Sequence, residues 1–291
     1  MISILVPCFD YNAYPLISIL EKQALMLKIK FEIICIDDGS FSSKNEINQK
    51  INLLTNSKFI ESRKNRGRIK NRLLLAEKSQ YEWLIFLDVD SLPIEENFLK
   101  NYVDQLNKGT VIIGGCKYKK PMNENHNLRY VFGVQREEII SNIRNKKPYK
   151  YVLSRNFLCK RNILISALSS IKTISYGNDY IFGSILKNMG VDIIHIDNPV
   201  LINNIDENQI FIKKTHHALD NLISSYNNKI IKKHSISILR AYIILDILLM
   251  KKIFVKLTDI FKNLLKRNLY KKNPNLFLFD VYRLNYLCKI K

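Results

Sequence analysis

The chain has 291 residues, 47% of them hydrophobic, with only 9 glycines and 7 prolines. That is enough apolar material for one large core, and it leaves no room for a long flexible linker or a low-complexity segment. The formal net charge of +20 reads either as a basic surface facing an anionic partner or as biased use of Lys alongside Asn and Ile. The cysteines Cys8, Cys35, Cys116, Cys159 and Cys288 are odd in number and widely separated, which argues against a disulfide framework or a zinc site and predicts reduced core thiols.

In chain order, Ser3–Val6 is an apolar run stopped by Pro7 and reads as a buried strand, followed by a helical pattern over Pro15–Leu27. A second apolar run, Phe31–Ile36, ends in Asp37-Asp38-Gly39-Ser40. The alternation continues with a helix over Asn45–Leu54, a strand near Lys58–Glu61, a helix over Arg68–Lys78 and a strand over Trp83–Leu87. Strand and helix in turn predict an α/β fold, a doubly wound and mostly parallel sheet flanked by helices. The Met1-Ile2-Ser3-Ile4-Leu5-Val6-Pro7 start lacks the charged region and long apolar core of a secretory signal, so a cytoplasmic location is expected.

Ligands of such sheets bind beyond the carboxyl ends of the strands. Three of those ends here are polar or acidic: Pro7 to Asn12, Asp37 to Ser40, and Asp88-Val89-Asp90. Asp88 and Asp90 follow a strand so apolar that their charge needs compensation, and extended backbone sends both to one side. Two hard oxygen ligands with open positions suit Mg²⁺ or Mn²⁺ bridging to a diphosphate. A buried Asp38 suits an N–H of a pyrimidine base; the plain alternative is an Asp-Gly turn in which Asp37 or Asp38 caps the next helix. Arg68 and Arg72, four apart, share one helical face directed at the same region.

The motifs Ile4-Leu5-Val6-Pro7, Phe31 to Ser40, Asn65 to Arg72, Phe86 to Ser91, Ser154 to Leu158, Tyr176-Gly177-Asn178-Asp179 and His195 to Pro199 together resemble family 2 glycosyltransferases of GT-A fold, especially those of bacterial surface polysaccharides. The resemblance runs from residue 1 to about 225. It implies a nucleotide-sugar donor, UDP-linked, lying against Pro7, Phe9, Asp38, Arg72 and Asp88, with Asp90 on Mn²⁺ or Mg²⁺. It also implies inverting transfer to a glycan or lipid-linked glycan hydroxyl, with Asp179 as general base. Asn178 stands where the family carries an acidic residue and falls with Gly115 and Asn156 on the acceptor side. For the residues alone, a helix cap at Asn178 or Asp179 stands as an alternative, and an ordinary turn accounts for Gly114-Gly115 equally well.

One further departure concerns the metal: the family supplies a His shortly after the Asn-Pro segment, and this chain reads Val200-Leu201-Ile202-Asn203-Asn204. Asn203 or water is the expected substitute, and His195 reads as structural. These departures leave an alternative, a catalytically impaired nucleotide-sugar-binding or scaffold protein of a polysaccharide assembly complex. A nucleotidyltransferase lacks support because no Gly-rich phosphate loop follows the first strand. The domain expectation is a transferase unit over residues 1–225 and a basic amphipathic helical extension over 226–291. From Ile231 onward 14 Lys or Arg face only Asp246, Asp259 and Asp280. The apolar stretch Ala241–Met250 is too short to span a bilayer, so the extension either lies on an anionic membrane surface, peripheral to the inner face of the cell membrane, or packs on the domain. Nucleic acid fits poorly, because a carboxylate cleft repels phosphate.

Overall fold

The computed structural model describes residues 1–171, 178–231 and 235–290. The apolar runs become parallel strands β1 (Ile2–Cys8), β2 (Phe31–Asp37), β3 (Ser57–Glu61) and β4 (Trp83–Leu87), arranged β3-β2-β1-β4. The central strands are apolar throughout because both faces of the sheet are covered. Alternation divides them cleanly: Leu5, Ile34, Ile36, Leu84 and Phe86 enter the core on one face. Ile4, Val6, Ile33, Cys35 and Ile85 enter the core on the other.

Helices α1 (Tyr14–Met26), α2 (Lys44–Asn48) and α3 (Arg68–Lys78) connect these strands. The helix expected over Asn45–Leu54 is shorter, its second half being a 3-10 segment, Gln49–Leu53. Beyond β4 come β5 (Ser91–Pro93), α4 (Phe98–Val103), β6 (Val111–Ile113), β7 (Cys116–Tyr118), α5 (Asn127–Arg136), α6 (Ser141–Asn145) and β8 (Asn156–Lys160). The chain continues through α7 (Arg161–Ser169), α8 (Asn178–Asn188), β9 (Ile193–His195) and β10 (Val200–Ile202). The large sheet has seven strands in the order β3-β2-β1-β4-β8-β6-β9, with β8 antiparallel to both neighbours. A second sheet, β5-β10-β7, sits where the chain leaves the end of β4.

The C-terminal segment is helical: α9 (Asn208–Asn227), α10 (Ser237–Ile247), α11 (Lys251–Ile260), α12 (Lys262–Asn268) and α13 (Leu276–Lys289). Leu239 and Leu287 join the core on the Phe86 face, and Arg283 donates to the Tyr180 hydroxyl at 3.2 Å, so part of this segment packs on the sheet-bearing body. Among the described residues no helix is long and apolar enough to cross a membrane. All five cysteines are free thiols, four of them buried, as expected from their spacing.

Candidate active site

Asp88 sits just past the last residue of β4, where the ladder with β8 ends. Its amide N–H donates to the Arg155 carbonyl at 2.9 Å. Arg68 and Arg72, one turn apart on α3, both reach its carboxylate: Arg68 Nη2 at 2.9 Å from Oδ2, and Arg72 Nη2 on Oδ1. Arg72 is 3% exposed, stacks over Phe86 at 5.6 Å, and sends Nη1 to the Ser154 carbonyl at 2.6 Å. The Ser154 N–H in turn donates to Asp179 Oδ1 at 3.0 Å. A continuous chain of contacts therefore runs Asp88, Arg72, Ser154, Asp179, and it brings the carboxylate of α8 to the acidic end of β4.

The two carboxylates of Asp88-Val89-Asp90 live under different electrostatics. Burial pushes Asp88 towards the neutral form, but Arg68, Arg72 and Arg155 outweigh it and hold the carboxyl below the usual Asp range. For Asp90, burial and then the neighbouring Asp88 charge outweigh the attraction of Arg155 and Arg68, and its carboxyl is raised above the usual range. The expectation that a cation compensates both carboxylates is thus modified: arginines already compensate Asp88, while Arg155 and Arg68 offset the Asp90 charge only in part, which leaves room for a cation there.

Asp38 is 5% exposed, and both its oxygens accept backbone N–H groups, from Arg66 at 2.9 Å and Gly67 at 2.8 Å. It thereby fixes the loop that launches α3, and through it the approach of Arg68 to Asp88. Asp37 accepts from the Ser40 N–H and hydroxyl, at 2.8 and 2.6 Å. Gly39 has φ +69°, and a Cβ there would lie 2.5 Å from the Lys64 carbonyl carbon, so the turn requires glycine. Beside it, Phe9 projects from the end of β1, 55% exposed, while Pro7 is paired with Ile36 inside the ladder.

The residues expected on the acceptor side divide differently. Asn156 is 1% exposed, with Oδ1 accepting from the Tyr102 hydroxyl and Nδ2 donating to the carbonyls of Gly115 and Asn198. Its amide is fully engaged inside the protein. A Cβ on Gly114 would fall 2.4 Å from the Tyr102 hydroxyl, and one on Gly115 3.0 Å from Arg144, so internal packing accounts for both glycines. The Asn178 side chain, with Tyr176 and Gly177, lies outside the described residues.

Several groups at the site carried no role in the sequence. Arg155 is half-buried, with Nη1 lacking a hydrogen-bond partner. Burial disfavours its charge, yet Tyr118, Asp88 and Asp90 keep it strongly protonated. Behind it, the Tyr118 hydroxyl bonds Glu137, and Arg129 ties both, at 2.7 and 2.9 Å. Burial and then the Asp90 charge push the Tyr11 hydroxyl up, while the Asn204 side chain pulls it down, so both residues lie close to Tyr11. The ladder pairing Ile202 with Ser91 runs the same way, carrying Asn203 alongside Asp90. His195 is structural: Nε2 meets the Pro148 carbonyl at 2.9 Å and Nδ1 meets Arg144 at 2.8 Å. Burial lowers its pKa to about 4.

Among the described residues no three His, Cys, Asp or Glu side chains stand together as a ready metal cage. Asp90 nevertheless fits a hard cation. Mg²⁺-type ions are commonly held by one or two carboxylates plus substrate phosphate oxygens, and a cation would relieve the repulsion that raises the Asp90 carboxyl.

A mostly parallel seven-stranded sheet with this acidic edge is a GT-A architecture. The chain belongs to glycosyl transferase family 2, whose profile matches residues 3–169. No match was found among curated proteins. Among solved structures, the mannosyltransferase PcManGT from Pyrobaculum calidifontis, in complex with GDP-Man and Mn²⁺, aligns with TM-score 0.51 and 14% identity over 78% of this chain and 64% of that one. TarS from S. aureus aligns with TM-score 0.50 and 16% identity over 76% of this chain and 39% of that one. TarS 1-349 in complex with UDP-GlcNAc gives TM-score 0.50 and 14% identity over 76% and 66%. At such identities the likeness establishes the fold, and this chain spans less than two thirds of each of those chains.

Proposed function

We propose that this chain transfers a sugar, with inversion, from a UDP-linked donor to a hydroxyl of a glycan or lipid-linked glycan, in the making of a cell-surface polysaccharide. Residues 1–225 would carry the reaction. The contact chain from Asp88 through Arg72 and Ser154 to Asp179 supports this reading most, because it links the charged groups assigned to the donor with the carboxylate assigned as base. The complexes of PcManGT with GDP-Man and Mn²⁺ and of TarS 1-349 with UDP-GlcNAc make a nucleotide-sugar the natural donor class.

In this reading Asp179 takes the proton of the acceptor hydroxyl while its oxygen attacks the anomeric carbon. The bond from that carbon to the β-phosphate oxygen breaks, and its electron pair leaves with the nucleoside diphosphate. Asp88 and Arg72 hold the donor side, Arg68 and Arg155 supply positive charge near the leaving group, and Asp38, Pro7 and Phe9 line the base. A divalent cation, when bound at Asp90, would neutralise further charge on the diphosphate. Asn178 is assigned to the acceptor side from the sequence, with Gly115 and Asn156 shaping that side from behind.

The test is a panel of nucleotide-sugars scored for Mn²⁺-dependent thermal stabilisation and for nucleotide release with acceptor. A UDP-sugar should stabilise the wild type and release UDP, with release abolished in Asp90→Ala and Asp179→Ala. Full release by either variant overturns the mechanism. Donor binding without turnover on any acceptor would favour the binding or scaffold reading, which the lone Asp90 carboxylate and Asn178 make the second candidate.

A further inference from the structure

Apolar side chains that reach solvent in isolation are ordinary on protein surfaces, but contiguous ones are not. Where α10 turns into α11, Ile247, Leu248, Leu249 and Met250 are 74%, 58%, 85% and 43% exposed, the longest unbroken run of exposed large apolar residues among those described. The turn is tight, with Leu249 at φ 57°. From that tip runs α11, none of whose residues is buried. Ile253, Leu257 and Ile260 are 53%, 56% and 74% exposed at spacings of four and three, so they form one stripe, which Leu264, 47% exposed, continues on α12.

Charge follows the stripe. Lys252 and Lys256 each precede a stripe residue and form a row along its edge, and both are exposed. Between Ile244 and Arg267 six basic residues face two acidic ones. Both acids are already paired, Asp246 with Lys251 and Asp259 with Lys289, each at 2.6 Å. An apolar tip and stripe bordered by unneutralised lysines complements a surface that is apolar below and anionic above. A second copy of this chain would bring the same positive charges face to face, which disfavours a symmetric dimer on this patch.

We propose that the exposed face of α10, α11 and α12 docks on an anionic phospholipid bilayer, with the Ile247–Met250 tip entering the headgroup boundary and Lys252 and Lys256 meeting lipid phosphates. The chain then lies on the membrane without crossing it, and this holds whether or not the proposed sugar transfer is correct.

The experiment is co-sedimentation of the full chain with vesicles of phosphatidylcholine alone or with about one quarter phosphatidylglycerol. Wild type should sediment with the anionic vesicles and stay in solution with the neutral ones. Each basic residue near the surface contributes about a fivefold gain, so Lys252→Gln with Lys256→Gln should weaken binding roughly 25-fold. Ile247→Asn with Leu249→Asn should weaken it at least tenfold per residue, on the order of 100-fold together. All four positions are at the surface, so melting temperatures should be unchanged, and a variant that does melt lower is judged by the other pair. No sedimentation with anionic vesicles, equal binding to neutral ones, or undiminished binding by both variant pairs overturns the proposal. So does a lipid-free dimer, seen by light scattering, that Ile247→Asn with Leu249→Asn dissolves.

Discussion

The contact on which the site depends most is the one between Arg72 and Asp88, and its removal has a calculable cost. Arg72 is 3% and Asp88 17% exposed on their side chains, so the pair is largely withdrawn from solvent. Removing one partner of a buried pair leaves an uncompensated charge and costs about 3–5 kcal/mol. Arg68 stays on Asp88 in Arg72→Met, but it is 42% exposed and its attraction is screened by water, so it covers only part of the loss. The expected destabilisation is therefore about 3 kcal/mol, a drop in melting temperature of roughly 6 °C or more. Melting followed by circular dichroism measures it. Adding Asp88→Asn should recover more than half of the loss, because the orphaned charge is then gone. The pH dependence has a definite sign. Asp88 is held below its ordinary pKa, so its contribution is complete above the usual carboxylate range and disappears as pH falls through the depressed value. The gap between wild type and Arg72→Met should thus be full at neutral pH and close in acid. A loss below about 1 kcal/mol, or a double variant as unstable as the two single losses summed, refutes the reasoning.

Other predictions follow from neighbouring contacts. Asp90 is shifted the opposite way: its native carboxyl binds protons more tightly than the unfolded one, so its charge lowers stability as pH rises through that window. Asp90→Asn should accordingly melt higher than wild type without ligand at neutral pH while losing Mn²⁺-dependent donor binding; a lower melting temperature contradicts this. Gly39→Ala should cost about 1–3 kcal/mol, because both its φ of +69° and the Lys64 backbone forbid a side chain, and urea denaturation will show whether it does. Arg155→Met should weaken UDP binding by calorimetry more than it changes melting temperature, since its Nη1 has no hydrogen-bond partner within the protein. An effect on melting alone would make Arg155 structural.

How far the sequence could be read depends on distance along the chain. β1, β2 and β4 were legible as apolar runs, because a strand buried on both faces has that pattern locally, although β1 continues through Pro7 to Cys8 and β2 takes in Asp37. The shared face of Arg68 and Arg72 was legible for the same reason, one helical turn being a local property. The antiparallel course of β8 was not, since Asn156-Phe157-Leu158-Cys159-Lys160 says nothing of direction. The strands of the β5-β10-β7 sheet have three residues each, too short for any period to register. The partners of Asp38, the amides of Arg66 and Gly67, lie 28 and 29 residues away and are backbone groups without sequence identity. At Gly114-Gly115 the space a side chain would need is taken by Tyr102 and Arg144, which only the folded chain reveals. Arg155 went unassigned because its importance comes from Asp88 and Asp90 on another strand end.

The most direct measurement of the central claim follows donor binding and product formation in the same sample for wild type and Asp179→Asn. If one site joins the β4 carboxylates to a base on α8, the variant should bind a UDP-sugar with unchanged affinity while turnover falls by about 10²–10⁴-fold. Unchanged turnover by Asp179→Asn, with donor bound, would contradict it.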